Sequence, residues 1–323
     1  MMKAVVMTTA GGPEVLQVQE RDIPTISADE VLIRVHAAGV NRPDVLQRLG
    51  KYPAPQGVVQ DVLGLEVAGT IAAIGENVKE LNLGDRVMAL VAGGGYAEFV
   101  AAHSGVCIPL PESLTFEEAA AMPETIYTVW HNVFQRANLT KGERILIHGG
   151  AGGIGSTAIL LSKLWGAEVA TTVRGAAKKE FVKQLGADII IDYSTSDFEM
   201  GLKDKGVDVV LDFIGGEYFE KNIHVLREEG RLVYINAMQG VKVTLNILKL
   251  MQKRLTITGS TLRNRDSAFK EALTADIKAH LLPLINERKL ILPIYKVVPF
   301  VEAWEAHRLM ESSEILGKIV LSF

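Results

Sequence analysis

The sequence predicts an α/β protein of two parts: a partly open β-barrel and a doubly wound parallel sheet of six strands. Three observations lead there. Residues 144–155, RILIHGGAGGIG, run from an apolar strand through a glycine turn into a helix. After that turn, strand and helix patterns alternate, which gives a parallel sheet with helices on both faces. Before it, short strands bounded by glycine follow one another closely, the pattern of a compact barrel.

In order, the early strands are expected at residues 3–7, 16–20, 30–36, 67–74, 86–91 and 96–100. Within 30–36, Val31, Ile33 and Val35 share one face. Residues 41–57, NRPDVLQRLGKYPAPQG, begin as a polar helix and become rich in proline. A helix start follows at 114–122, with Glu117 and Glu118 in its first turn, where the dipole favours anions. The six sheet strands are expected at 144–148, 168–173, 189–192, 207–212, 231–236 and 255–260. Helical stretches at 268–286 and 300–310 and a strand at 317–322 form the tail.

At 323 residues the chain is long enough for two domains of ordinary size. A formal net charge of −4 gives no general attraction to nucleic acid or anionic membranes. No apolar run reaches transmembrane length, and the N-terminus lacks a signal-peptide core, so a cytoplasmic protein is expected. Cys107 is the only cysteine, and the histidines form no H-E-x-x-H or other close pair, so no metal is expected.

The glycines set the first chemical expectation. Gly150, Gly152 and Gly155 have the G-x-G-x-x-G spacing: the first permits a tight turn, the second admits a pyrophosphate, and the third lets helix and strand pack closely. Backbone N–H groups at the start of the following helix then hold the phosphates. NAD sites place an acidic residue at the end of the second strand for the ribose 2′-hydroxyl. Here that end reads Thr171, Thr172, Val173, Arg174, followed by Lys178 and Lys179, while Glu168 lies at the wrong end. Cations without a carboxylate favour a 2′-phosphate, so NADPH is the expected cofactor. Tyr193, just past the third strand, stands at the same edge. Asn41 and Tyr52 are the candidates for hydride-transfer chemistry. An amide can fix a nicotinamide or ribose group, and a phenol can polarise or protonate an acceptor.

Over essentially its whole length the chain resembles the medium-chain dehydrogenase/reductase superfamily, specifically its zinc-free quinone oxidoreductase branch. The blocks that carry the resemblance are AGVNRPDVLQRLGKYP (38–53), LGLEVAGTIAAIG (63–75), LGDRVMAL (83–90), GGGYAEFV (93–100), AAAMPETIYTVWHNV (119–133), ILIHGGAGGIG (145–155) and ILGKIVL (315–321). Through NRPDVLQR, GGGYAEFV, LDFIGGEYFEKN and STLRNRD it is most similar to the tumour-suppressor-inducible quinone oxidoreductase subgroup and its bacterial relatives. The resemblance implies a GroES-like catalytic domain, residues 1–123 and 267–323, a Rossmann domain over 124–266, and an active site in the cleft between them. Zinc-dependent members carry a ligand cysteine in the segment of Asn41 and a ligand histidine where Leu65 stands, so metal-free catalysis is implied.

By similarity, Asn41 and Thr128 lie beside the nicotinamide ribose or amide. Gly152, Gly153 and Ile154 line the pyrophosphate, with Gly155 supporting the turn, and Gly150 and Ala151 are expected at the cofactor with them. Lys178 and Tyr193 match positions that hold the 2′-phosphate, to which the reading of the residues adds Thr172 and Arg174. Ile214, Met238 and Leu262 fall on segments bordering the cofactor. Some relatives have a serine where Gly152 stands, and a role for that hydroxyl does not transfer. The expected activity is NADPH-dependent reduction of quinones by hydride or single-electron transfer. The alternative is an enone or enoyl-thioester reductase in which Tyr52 is the proton donor. A third reading is a non-catalytic, crystallin-like NADPH-binding protein. The resemblance also implies a homodimer or homotetramer, with residues 255–260 as a candidate pairing edge.

Overall fold

The structure is a computed structural model that describes residues 1–312 and 314–323. It divides into two compact units, Met1–Tyr127 with Arg263–Phe323, and Thr128–Leu262. The changeovers fall at 127/128 rather than 123/124 and at 262/263 rather than 266/267. The first is moved by Tyr127, which is fully buried in the first unit with its hydroxyl 2.6 Å from that of Thr274. No helix among the described residues is long and apolar enough to cross a membrane.

In the first unit, a sheet runs in the spatial order Ile294–Pro299, Lys318–Ser322, Glu30–Val40, Glu66–Ile74, Arg86–Leu90, Cys107–Pro109, and Phe99–His103 also pairs with Glu30–Val40. Met2–Met7 and Leu16–Arg21 form a separate antiparallel pair. Val31, Ile33 and Val35 are buried and Arg34 is exposed, so the alternation read from the sequence is the core face. The strand continues past His36 to Val40 because that end pairs with the distant segment Lys318–Ser322. The strand expected at 96–100 lies instead at Phe99–His103, since Tyr96 is drawn wholly into the interior by its phenol. Cys107–Pro109 and Ile294–Pro299 are not expected from the sequence; the first is short and the second mostly exposed, and each is a strand only through its partner.

The second unit is a sheet of six parallel strands. Its order is Ile189–Asp192, Glu168–Val173, Arg144–His148, Val207–Asp212, Leu226–Tyr234, Thr256–Gly259. Numbered by chain position this is 3-2-1-4-5-6, and the order reverses beside Arg144–His148, the strand that feeds the glycine turn. The fifth strand begins at Leu226, not 231, because an irregularity between Val207 and Val209 absorbs the turn-like residues Arg227 to Gly230. Leu146, Ala170, Val210 and Leu232 of successive strands pack with Phe198, Phe219 and Ile223 into one apolar core.

The helix Gly153–Leu164 follows the turn, capped at its end by Trp165, with Gly166 at φ 81°. Its approach to the strand is set at Gly155. A Cβ there would lie 2.3 Å from the Gly149 carbonyl oxygen and 2.6 Å from the Gly150 Cα, both backbone atoms that cannot move aside. At Gly152 the nearest heavy atom would be 3.9 Å away. Alanine gains about 1 kcal/mol of helix propensity over glycine, but the overpacking at Gly155 outweighs it. Gly155→Ala is expected to destabilise the protein by roughly 1–3 kcal/mol, and Gly152→Ala by no more than about 0.5 kcal/mol, read by urea unfolding.

Candidate functional site

In the second unit, the glycine turn rests on a buried polar platform. Thr172 Oγ1 accepts the Gly149 N–H at 3.2 Å and bonds His148 Nδ1 at 3.1 Å. His148 Nε2 meets Asn222 Oδ1 at 2.8 Å, and Asn222 donates to Asp212 Oδ2 at 2.8 Å. Asp212 Oδ1 in turn accepts the N–H groups of Ile214 and Gly215. Burial holds His148 below its ordinary pKa, so a neutral ring fits these bonds. The platform fixes two loops at the carboxyl ends of strands one and four, and no local pattern announces it.

Above it, the helix Gly153–Leu164 starts from Gly152 with no side chain capping its first turn. Gly150, Ala151 and Gly155 are buried, while Gly152, Gly153 and Ile154 keep access to solvent. The uncapped N–H groups and the open space at Gly152 make a cradle that suits a phosphate. Ile214 and Met238 are brought together. The Met238 N–H donates to the Phe213 carbonyl, and the Gln239 N–H to that of Ile214. Met238 is exposed, and Ile214, Thr128 and Leu262 are half-buried.

The far edge is mixed in charge. Arg174 is exposed at the end of the second strand, and Lys178 is half-buried on the helix Ala176–Gln184. Exposed Tyr193 lies beside them, its N–H 3.0 Å from the Val173 carbonyl. Thr172 does not share this edge: its hydroxyl is buried and spent on Gly149 and His148. Asp192, which the sequence reading passed over, also sits here. Its carboxylate accepts from the Gly175 and Ser194 N–H groups and the Ser194 hydroxyl, and these bonds hold its pKa below the usual range.

In the first unit, Asn41 begins the helix Arg42–Arg48. Its amide bridges a buried ion pair: Nδ2 donates to Glu66 Oε1 at 2.7 Å, and Oδ1 accepts from Lys318 Nζ at 2.5 Å. Lys318 Nζ lies 2.6 Å from Glu66 Oε1, and both side chains are buried. The Glu124 backbone N–H donates to the other Glu66 oxygen at 2.9 Å. Asp44 accepts from the Asn41 N–H at 2.8 Å and from the Tyr96 hydroxyl and the Gly64 N–H at longer range. Burial raises Asp44 to about 6. The Tyr96 hydroxyl also meets His307, which burial lowers to about 3 and so keeps neutral.

Tyr52 is half-buried, with the Arg263 guanidinium 5.3 Å from its ring centre. Arg263 is itself buried, held by the Ala92 carbonyl at 2.8 Å and Gln47 Oε1 at 2.7 Å, and its Nη1 has no hydrogen-bond partner among the described residues. Burial raises the Tyr52 pKa, Arg263 opposes the rise, and Glu124 adds to it. Glu124 is pushed up to about 7, first by burial, with Lys318 lowering it and Glu66 and Asp44 raising it. Of this cluster the sequence reading named Asn41 and Tyr52. Asp44, three residues past Asn41, had a local signal in the helix-start spacing. Glu124, Arg263 and Lys318 had none.

The Glu66–Lys318 pair is deep enough for its loss to matter. Glu66→Gln or Lys318→Met alone leaves an uncompensated buried charge and is expected to cost roughly 3–5 kcal/mol. The double variant should recover much of that loss in a double-mutant cycle of urea unfolding at pH 7.

Residues 27–112 match the alcohol dehydrogenase GroES-like domain, and residues 153–277 match the zinc-binding dehydrogenase domain. The chain is 32% identical to the rat synaptic vesicle membrane protein VAT-1 homolog, covering 99% of this chain and 84% of that one. It is 31% identical to mouse quinone oxidoreductase, covering 99% and 98%. The Escherichia coli quinone oxidoreductase structure complexed with NADPH superposes with a TM-score of 0.88 at 28% identity, over 99% of this chain and all of that one. The CurK enoyl reductase structure does so at 0.87 and 30%, over 99% of each. The zinc in the second domain's description does not fit the donors here. Leu65 offers no ligand atom, the Asn41 oxygen and Glu66 Oε1 are taken by the Lys318 ammonium, and Glu66 Oε2 accepts the Glu124 N–H. Both domain matches and the full-length likeness lead to one conclusion: the chain belongs to the medium-chain dehydrogenase/reductase superfamily, on its quinone oxidoreductase branch.

Proposed function

We propose that the chain is an NADPH-dependent, metal-free oxidoreductase that reduces quinones. The observation that carries the reading is the uncapped start of the helix Gly153–Leu164 behind a turn with room at Gly152. When bound there, NADPH supplies a hydride. The chain's part is to hold the pyrophosphate on the N–H groups of residues 152–155 and the adenosine end beside Arg174, Lys178 and Tyr193. Asn41 and Thr128 are assigned to the nicotinamide end, and Ile214, Met238 and Leu262 to its borders. Two cations against one already-bonded carboxylate, Asp192, favour a doubly charged 2′-phosphate over a hydroxyl.

Tyr52 is assigned to the acceptor. The cationic Arg263 at its face favours negative charge on the phenol oxygen or on an acceptor oxygen beside it. The likeness to an enoyl reductase supports a second reading, reduction of enones or enoyl thioesters, in which Tyr52 protonates the α-carbon. A panel of quinones, enones and enoyl-CoAs, with NADPH or NADH consumption as readout, tests both. NADPH is expected to give the higher kcat/KM, and Lys178→Ala to raise its KM roughly tenfold with little effect on NADH. Tyr52→Phe is expected to change quinone reduction little. A 10²–10⁴-fold loss of kcat on an alkene would favour the second reading. Preference for NADH would overturn the cofactor assignment, and tight NADPH binding with no turnover would leave a binding protein. A cytoplasmic location fits the single buried thiol of Cys107, which burial pushes up to about 12.

The reading includes a homodimer or homotetramer. Thr256–Gly259 ends the six-stranded sheet, and its outer side pairs with no strand among the described residues. Val241, Ile247, Leu248 and Met251 are exposed close by in sequence. An open edge flanked by apolar side chains suits pairing with a second copy. Light scattering at micromolar concentration should give at least twice the chain mass of 35.1 kDa, and a monomer would overturn the assignment.

A further inference from the structure

Three carboxylates meet in the first unit, and their surroundings separate them. Glu66 is buried, with Asn41 Nδ2 and Lys318 Nζ on one oxygen and the Glu124 N–H on the other. Asp44 is buried and accepts from the Asn41 and Gly64 N–H groups and the Tyr96 hydroxyl. Glu124 is different. Its carboxyl has no hydrogen-bond or ion-pair partner among the described residues, and the side chain keeps partial access to solvent. The same backbone that places it, the start of the helix Pro123–Val129, is pinned by its N–H to Glu66. Its charge is felt at Tyr52.

From this arrangement we infer that Glu124 is the acid that supplies the proton consumed in the reduction. The inference rests on the reductase reading. An acceptor quinone that has taken a hydride is a hydroquinonate. The Glu124 O–H bond breaks, an O–H bond forms on the hydroquinonate oxygen, and the Glu124 carboxylate is recharged from water. Asp44 and Glu66 cannot serve, since their oxygens are held by fixed donors. The Lys318 ammonium is held by Glu66, Asn41 and, at 3.5 Å, the Val40 carbonyl. The charges that act on Glu124 are Glu66 and Asp44, which disfavour its anion, and Lys318, which favours it, and Glu124 with Arg263 acts in turn on Tyr52. Burial, with Glu66 and Asp44 adding to it and Lys318 opposing it, keeps a proton on Glu124 near neutrality, where a donor is most useful.

The test is the pH profile of kcat for quinone reduction with saturating NADPH, in the wild type, Glu124→Gln and Glu124→Asp. The donor works only when protonated, so wild-type kcat should hold below pH 7 and fall as pH rises through about 7. Glu124→Gln should lose that limb and run roughly 10–100-fold slower at pH 6, with its NADPH Kd unchanged and its Tm no lower, and Glu124→Asp should keep a limb. A readout without turnover is ¹³C NMR of glutamate-labelled protein. One carboxyl resonance should titrate near 7 and be missing in Glu124→Gln. A wild-type profile in Glu124→Gln, or an ordinary carboxylate titration at Glu124, overturns the inference and leaves the reductase reading standing. A wild type that consumes NADPH with no acceptor overturns that reading and this inference with it.

Discussion

The first unit is organised by the need to compensate one buried charge. Glu66 has no access to water, so its carboxylate requires a cation and hydrogen-bond donors within reach. Lys318 comes from the last strand, Asn41 from the start of a helix, and the Glu124 N–H from the start of another. One residue thereby ties the tail of the chain to its first third. Strand Lys318–Ser322 also completes the sheet beside Glu30–Val40, so the ion pair and the strand pairing support each other. Asn41, expected to fix a nicotinamide or ribose group, has one donor and one acceptor already committed to that pair.

The same arithmetic shapes the electrostatics around Tyr52. A single ammonium serves Glu66, and the carboxyls of Asp44 and Glu124 are left to settle with burial and with one another. Both are raised, Asp44 to about 6 and Glu124 to about 7. Raised carboxyls oppose stability at high pH, because the unfolded chain releases those protons more readily. The lowered His307 works in the opposite sense, costing stability as pH falls from its ordinary value towards about 3. The unit is thus balanced between an acid-sensitive histidine and base-sensitive carboxyls, and only Glu124 among these keeps contact with water.

The second unit follows a different constraint, close approach of backbone to backbone. Gly155 leaves no room for a Cβ, and the turn it supports stands on the chain Thr172, His148, Asn222, Asp212. That chain converts a loop that local propensity leaves free into a fixed platform. It also explains why Thr172 stands apart from Arg174, Lys178 and Tyr193, expected to share its role: its hydroxyl holds the turn from beneath.

Much of the architecture was legible because it is written locally. Alternation set the core face at Val31, Ile33 and Val35, and the glycine spacing between strand and helix located the uncapped helix start at Gly152. The missing cysteines and Leu65 removed the donors a zinc site needs. Local pattern failed where partners are distant. The strand beyond His36, the strand Ile294–Pro299 and the displacement of Tyr96 from its expected strand depend on residues far along the chain. By itself the sequence determined the fold class, the place of the dinucleotide motif and the side chains available for chemistry, because periodicity and turn residues act over a few positions. Which of those side chains remain free was decided only in three dimensions. Lys318 and Asn41 lie 277 positions apart yet share a hydrogen bond, and burial at such a contact sets both the charge of each carboxyl and what it can still donate.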